Sequence, residues 1–255
     1  MDKYKRLKEK FDNCEKISMA NMMVMTSPLI LKAYEDGDCV LIDKEHGVYG
    51  TEDLIPLTMA CRAMGLPSIV RVEDCLYHLI AKAIDMGADG IMIPRVESVE
   101  QVKTAVDAIR FMPVGRTGYG GWGIMRDNET FDEFQKGRHL ILQIESQKGL
   151  DTMEDIIGQY GSEIDAFIIG PNDFSIQMGV PRNLNHPVMH EQYEKFFEIC
   201  HKHHKSCGIY DPDLESVDRD LKYGANVFWI GGDVSLLKRA FNEYLERIYK
   251  SITRD

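Results

Sequence analysis

The 255-residue chain is 44% hydrophobic and 28% charged, the balance of an ordinary globular protein with ample apolar material for a core. A formal net charge of −11 argues against nucleic acid and anionic membrane surfaces as partners. No apolar run approaches the roughly eighteen residues of a membrane span, and the opening MDKYKRLKEKFDN has no signal-peptide core, so a cytoplasmic location is expected.

In chain order, residues 3–16 are charge-rich with sparse apolar positions and predict a short N-terminal helix lying outside the main core. Ser18–Met25 reads as a first strand. Ser27-Pro28 then opens a helix through Tyr34, in the favoured cap-then-proline order. Val40–Asp43 is a second strand, with Lys44-Glu-His-Gly47 at its exit. A helix over about 52–64 ends at Gly65, before Pro67. Ser68–Val72 is strand three, residues 76–86 a helix stopped by Gly87, and Gly90–Pro94 strand four, followed by a helix over about 98–110. The period breaks at 113–125, which holds five glycines and Trp122; a glycine-rich stretch of that length inside a domain reads as a functional loop.

Beyond it, Leu140–Ile144 and Ala166–Ile169 are short apolar runs bounded by polar residues, with a helical segment Leu150–Tyr160 between them. Such runs read as strands buried on both faces, and strand–helix–strand makes them parallel, so their C-terminal ends emerge at one edge. A helix opens at His186-Pro187 and runs to about Lys205. Cys207–Tyr210 is strand seven, 213–223 a helix and Val227–Ile230 strand eight; Gly231-Gly232 and a helix Ser235–Ile248 close the chain. Eight strands alternating with helices predict an α/β fold, a single-domain (β/α)8 TIM barrel spanning 1–255. A doubly wound open sheet is the alternative, because sequence does not show closure.

The six cysteines are scattered without a CxxC pair and read as reduced thiols. The stretch Cys200-His-Lys-His-His-Lys-Ser-Cys207 looks metal-like, but its spacing fits no standard zinc pattern, and it falls where basic residues end a helix.

In a barrel the chemistry collects at the C-terminal ends of the strands. Those ends carry Asp43 and His46 after strand two, Arg71 on strand three, Gln143 and Glu145 on strand five, and Gly170 to Asp173 after strand six. Side-chain alternation puts Ile141, Gln143 and Glu145 on one face. Glu145 and Asp173, converging from neighbouring strands, form a hard-oxygen pair of the kind Mg²⁺ or Mn²⁺ accepts. Solvated loop acids are the plain alternative. Arg71 shares the inward face with Ile69, and an unpaired buried charge is costly, so an anion must meet it, either Glu145 or a bound ligand.

These residues carry a resemblance. The motifs LIDKEHG (41–47), VRV (70–72), AIDMGADGIMIPRVES (83–98), LQIES (142–146), IIGPNDFSIQMG (168–179) with HP (186–187), and GGDVSLL (231–237) resemble, in family order, the HpcH/HpaI aldolases. These are metal-dependent (class II) pyruvate aldolases, the group of 2,4-dihydroxyhept-2-ene-1,7-dioate aldolase, on TIM barrels. The resemblance implies a carbon–carbon lyase of aromatic or sugar acid catabolism, cleaving a 4-hydroxy-2-oxo acid to pyruvate and an aldehyde through a pyruvate enolate. It assigns metal ligation (Mg²⁺ or Mn²⁺, with Co²⁺ a further option) to Glu145 and Asp173. It makes His46 the base, supported by Asp43 and Asp85, and Arg71 the enolate-stabilising residue. Arg71, Gln143, Gly170, Pro171, Asn172, Asp173 and Tyr210 would bind substrate, with the backbone N–H groups of Gly170 and Asn172 near its carboxylate and Gln143 orienting a metal-bound water. It also implies a homo-oligomer, a hexamer with the last helix exchanged between partners.

The chain departs from the pattern at Asn172, where alanine is usual, at Lys44, and at Tyr210, which stands where an aliphatic residue lines the pocket; the segment after the glycine loop is short. These changes fall on the aldehyde side. An oxaloacetate decarboxylase on the same site is the alternative activity, and a non-catalytic barrel binding small anions or a protein partner the alternative of another class. Gly231-Gly232 also admits a phosphate-cradle reading, against the simpler one of a tight turn into the last helix.

Overall fold

The structure, a computed structural model, describes residues 3–120, 125, 126, 129–211 and 216–252. Gly121, Trp122 and Gly123 of the glycine-rich loop, and residues 213–215 of the helix expected from 213, lie outside them.

Eight parallel strands close into one barrel in sequence order: β1 (Ile17–Met22), β2 (Cys39–Asp43), β3 (Ser68–Arg71), β4 (Gly90–Ile93), β5 (His139–Ile144), β6 (Ala166–Ile169), β7 (Ser206–Asp211) and β8 (Val227–Ile230), with β8 pairing back onto β1. The open sheet is thereby excluded. Both faces of β2 to β6 are buried, which is why they read as continuous apolar runs, while the outward Phe228 and Ile230 of β8 are half-buried. Met19, Leu41, Ile69, Met92, Ile141 and Ile168 fill the interior. Their sequence neighbours Ala20, Ile42, Val70, Ile91, Leu142 and Phe167 face outward under the helices.

The helices are α1 (Lys3–Asp12), α2 (Thr51–Ala63), α3 (Tyr77–Asp85), α4 (Val99–Ile109), α5 (Phe131–Lys136), α6 (Gln147–Tyr160), α7 (Pro171–Gln177), α8 (Pro187–Lys202), α9 (Val217–Tyr223) and α10 (Asp233–Ile252). Each connects consecutive strands or flanks the barrel. Gly65, Gly87 and Gly224, at φ +66, +94 and +84, follow α2, α3 and α9 in the left-handed conformation that glycine adopts without strain.

Four expectations change. α1 is not outside the core: Leu7 and Phe11, one turn apart, are 1% and 2% exposed and belong to the interior cluster, so α1 plugs the barrel floor. β1 stops at Met22, because the next three N–H groups turn to Asp233 instead of a strand. Residues 28–34 form a 3-10 rather than an α-helix. Two short helices were not anticipated. Thr130 and Glu133 close a capping box on α5, and Pro171 sits in the first turn of α7, converting the expected polar loop 170–173 into a helix start.

All six cysteines are free thiols. Among the described residues no group of three or more His, Cys, Asp or Glu could hold a metal, and the 200–207 stretch diverges: Cys200 and Cys207 are buried, while His201 reaches Gly224 O and His203 faces Glu154. No helix among the described residues is long and apolar enough to cross a membrane.

Candidate active site

The strand ends open into a cavity of about 270 Å³ lined by Asn21, Met23, Asp43, His46, Arg71, Gln143, Glu145, Gly170, Pro171, Asn172, Asp173, Tyr210 and Trp229. Every site residue expected from the sequence is in it except Asp85. Asp85 ends α3 and lines a separate surface groove with Ile55, Thr58, Met59 and Arg62, where burial raises its carboxyl pKa against the pull of Lys82. Within one chain it does not reach His46.

Arg71 is buried, and register sets its partners. Asp43 lies directly opposite it on β2 and takes Nε at 2.9 Å and Nη2 at 2.5 Å, while Nη1 donates to Gln143 Oε1 at 3.1 Å and pairs with Glu45 at 3.0 Å. The ring of Trp229 lies 4.8 Å from the guanidinium carbon. The anion expected to meet Arg71 is therefore Asp43, with Glu45 second. Glu145 is two strands away.

Asp43 Oδ1 also accepts the backbone N–H groups of Glu45 (3.0 Å) and His46 (3.2 Å). Asp43 thus shapes the turn that carries His46 but spends its oxygens on Arg71 and the backbone, not on the imidazole. The turn is tight enough to require Gly47, where a Cβ would stand 2.0 Å from Asp43 O. The imidazole is more than half exposed, and Glu45 is 3.9 Å from its Nε2.

Glu145, 4% exposed, continues the inward face of β5, where Oε1 accepts the N–H of Arg95 at 3.1 Å. Arg95 holds φ +49, strained for a residue with a Cβ, and its guanidinium pairs with Glu45. A Cβ on Gly170 would stand 2.7 Å from Glu145 Oε2 and Gln143 Nε2 and 2.8 Å from Glu145 Cγ, so any side chain there would displace these two groups. Burial pushes the Glu145 carboxyl up to about 7; its contact with Asp173 adds to the rise, and the Arg95 N–H and Arg71 oppose it.

At the head of α7, the N–H of Gly170 is already given to Ile144 O at 2.9 Å, so it is not a donor for substrate. Pro171 has none. The first-turn N–H groups of Asn172 and Asp173 have no intrahelical acceptor. Ser175 Oγ, donating to Asn172 O at 2.6 Å, steadies this turn.

Five residues at or beside the cavity escaped the sequence argument. Asn21, Met23 and Trp229 sit inside apolar runs, and Glu45 and Arg95 fall in the turns after strands two and four. Met23 is held by Asp233, whose Oδ2 accepts from the N–H groups of Met23, Val24 and Met25 at 2.9–3.2 Å. Lys44 points away from the cavity, as alternation predicts, yet it is buried, with Nζ 2.6 Å from Glu73. Gly231-Gly232 is the turn into α10: a Cβ on Gly232 would stand 3.0 Å from Met23 Sδ.

A family profile described as HpcH/HpaI aldolase/citrate lyase matches residues 24–240. The chain belongs to the HpcH/HpaI aldolase/citrate lyase family. It is accordingly an enzyme, a carbon–carbon lyase. It is 30% identical over 219 residues to a 5-keto-4-deoxy-D-glucarate aldolase of Salmonella paratyphi C, 84% of each chain, and 29% identical over 222 residues to a 2-keto-3-deoxy-L-rhamnonate aldolase of Salmonella gallinarum, 84% of this chain and 81% of the relative. In fold it is similar to an HpcH/HpaI aldolase/citrate lyase family protein from Burkholderia cenocepacia J2315, with TM-score 0.86, 24% identity and coverage of 96% and 99%.

The donor set fits a divalent cation. Two carboxylates pressed together, one with a raised pKa, form a site short of positive charge, and Arg71 is committed elsewhere. Mg²⁺ is held by one or two carboxylates, with substrate and water filling its other positions.

Proposed function

We propose that the chain catalyses divalent-cation-dependent, reversible cleavage of a 4-hydroxy-2-oxo acid, of the 2-keto-3-deoxy or dihydroxyheptenedioate type, to pyruvate and an aldehyde. The contact of Glu145 with Asp173 at the mouth of a buried, arginine-bearing cavity is the observation that carries it. Glu145 and Asp173 would hold the ion, which when bound supplies Lewis-acid polarisation of the keto group.

The remaining work falls to side chains. Cleavage leaves negative charge on the keto oxygen, and Arg71 is fixed on four sides by Asp43, Glu45, Gln143 and Trp229. A cation so held needs little reorganisation as charge develops, which is the source of large electrostatic catalysis. His46, at the open side, accepts the C4 hydroxyl proton. The N–H groups of Asn172 and Asp173 receive the substrate carboxylate, and Tyr210 lines the aldehyde side. Gln143 orients Arg71 through Oε1 and offers its amide to a water.

The distance of 3.9 Å between His46 and Glu45 favours one second reading, oxaloacetate decarboxylation, which moves no hydroxyl proton. Pyruvate release from a panel of 4-hydroxy-2-oxo acids and from oxaloacetate, with and without Mg²⁺ or Mn²⁺, separates the two. Release from oxaloacetate alone selects the decarboxylase, and release from neither defeats both.

The site's family also leads us to propose a homo-oligomer. Val234, Leu237, Phe241, Tyr244 and Ile248 form an exposed apolar stripe along α10, which supports it. Light scattering that returns a monomer mass would end that reading.

A further inference from the structure

Arg95 is held in a backbone conformation that its own side chain disfavours. It follows β4 at φ +49, where a residue with a Cβ is strained, and fixed contacts keep it there. Its N–H donates to Glu145 Oε1 at 3.1 Å, and its carbonyl accepts from Gln101 Nε2 at 3.1 Å. The guanidinium crosses to the turns after β2 and β3, donating to Glu45 Oε1 and, at 2.9 Å, to Glu73 O. Arg95 does not line the cavity, so what it does there it does through Glu145 and Glu45.

Glu45 is where the guanidinium matters. Its side chain is 5% exposed, yet its two oxygens are unequally served. Oε1 is bonded by Arg95, whereas Oε2 lies 3.0 Å from Arg71 Nη1 without a hydrogen bond to it or to any other group. Arg95 is thus the hydrogen-bonded anchor of Glu45, and Arg71 is its neighbour by charge alone. Arg71 with Asp43 and Glu45 sets one positive charge against two negative ones, a cluster of net charge −1. Such a cluster repels the negative charge that cleavage places on the keto oxygen. Arg95 adds one positive charge and brings the four groups to zero.

Resting on the aldolase reading, we propose that Arg95 is a positioning residue of this reaction: by anchoring and offsetting Glu45, it leaves the charge of Arg71 available to the enolate. Its effect falls on the charged intermediate more than on bound pyruvate, because the keto oxygen is neutral in pyruvate and negative in the enolate.

The test compares Arg95→Gln with Arg95→Lys, which both keep a long side chain on a Cβ; only the second keeps the charge. Two measurements at saturating Mn²⁺ read the effect. One is the rate of pyruvate methyl-proton exchange, which requires the enolate. The other is the pair of calorimetric Kd values for pyruvate and for oxalate, a planar dianion shaped like the enolate. Arg95→Gln should slow exchange and weaken oxalate about tenfold while moving the pyruvate Kd less than about threefold, the scale of one partly screened charge. Arg95→Lys should recover most of both losses. Should Arg95→Gln fail to fold, by its melting curve, Arg95→Gly carries the same expectation, since glycine takes φ +49 without strain. A neutral variant that exchanges protons and binds oxalate as the wild type does overturns the proposal. So does one that weakens pyruvate and oxalate equally, and so does an Arg95→Lys no better than Arg95→Gln. A wild type that exchanges no methyl protons defeats the aldolase reading and the role of Arg95 with it, so the two failures are distinguishable.

Discussion

Arg71 and Asp43 are register partners on β3 and β2 and share two hydrogen bonds, Nε to Oδ1 at 2.9 Å and Nη2 to Oδ2 at 2.5 Å. Both side chains are buried. The fork geometry is one that only arginine offers, and it makes Asp43 the holder of the cation rather than the orienter of the histidine.

Arg71→Ala should therefore cost both stability and rate. Removing one member of a buried ion pair costs about 3–5 kcal/mol, and losing one preorganised oxyanion donor lowers kcat on the order of a hundredfold or more. Pyruvate methyl-proton exchange should fall with kcat. Arg71→Lys, unable to meet both oxygens, should recover some stability but little rate. Exchange at the wild-type rate in Arg71→Ala would show that the guanidinium has another task.

The Glu145–Asp173 pair predicts how pH and cations act together. Burial, with Asp173 adding, raises the Glu145 carboxyl to about 7 in the ion-free protein. The folded chain then binds this proton more tightly than the unfolded one, whose glutamate titrates near ~4.3. The linked stability is fully present below that value and is lost as pH rises through about 7. A cation should restore it, by about 2.7 kcal/mol at a hundredfold excess over Kd. Melting curves at pH 6 and pH 8 should show a larger rise with Mg²⁺ or Mn²⁺ at pH 8, and none in Glu145→Gln or Asp173→Asn. Undiminished turnover after exhaustive dialysis against a chelator would refute the cation's role.

The barrel was legible because each strand is a short apolar run ending at polar turn residues, and the same strand ends exposed Glu145, Asp173, His46 and Arg71. What alternation does not reveal is neighbour pairing. It placed Arg71 on the inner face, but only the β2–β3 register sets Asp43 opposite it. Asn21 and Trp229 were hidden for a related reason: a polar or aromatic residue inside an apolar run reads as core until closure turns that face into a cavity wall. α1 was misplaced because two apolar residues, Leu7 and Phe11, make too sparse a stripe to announce a floor plug. α5, by contrast, carried its signal in Thr130 and Glu133, masked by the glycine-rich stretch before it.

Lys44 is the residue most able to mislead about mechanism. A lysine beside Asp43 and His46 invites a Schiff-base route, in which its amine condenses with the keto group. Its Nζ instead lies 2.6 Å from Glu73, on the side of β2 facing away from the cavity. Borohydride reduction in the presence of pyruvate should leave the protein's mass unchanged, and Lys44→Met should keep most activity. A pyruvate-sized adduct mapping to Lys44 would replace the mechanism proposed above.

At the opposite end of the barrel, Asp165 fastens the floor. Its Oδ2 accepts the N–H of Leu140 at 2.9 Å, and its Oδ1 lies 3.2 Å from Lys8 on α1 and 3.5 Å from His139. Burial alone would raise this carboxyl, but His139, Lys8 and the Leu140 N–H together hold it well below the usual carboxylate range. An unfolded aspartate titrates near ~3.9. The native state therefore gains stability from the ionised form above about pH 4 and loses it as pH falls further toward the folded value. Replacing Asp165 with Asn keeps the shape and removes the charge. It should cost on the order of 3 kcal/mol at neutral pH, the scale of a broken buried pair. The variant should also lose less stability than the wild type between pH 5 and pH 3. Urea titrations of both proteins across that range read the difference directly, and parallel losses would mean that acid acts elsewhere than on the contact that seats α1.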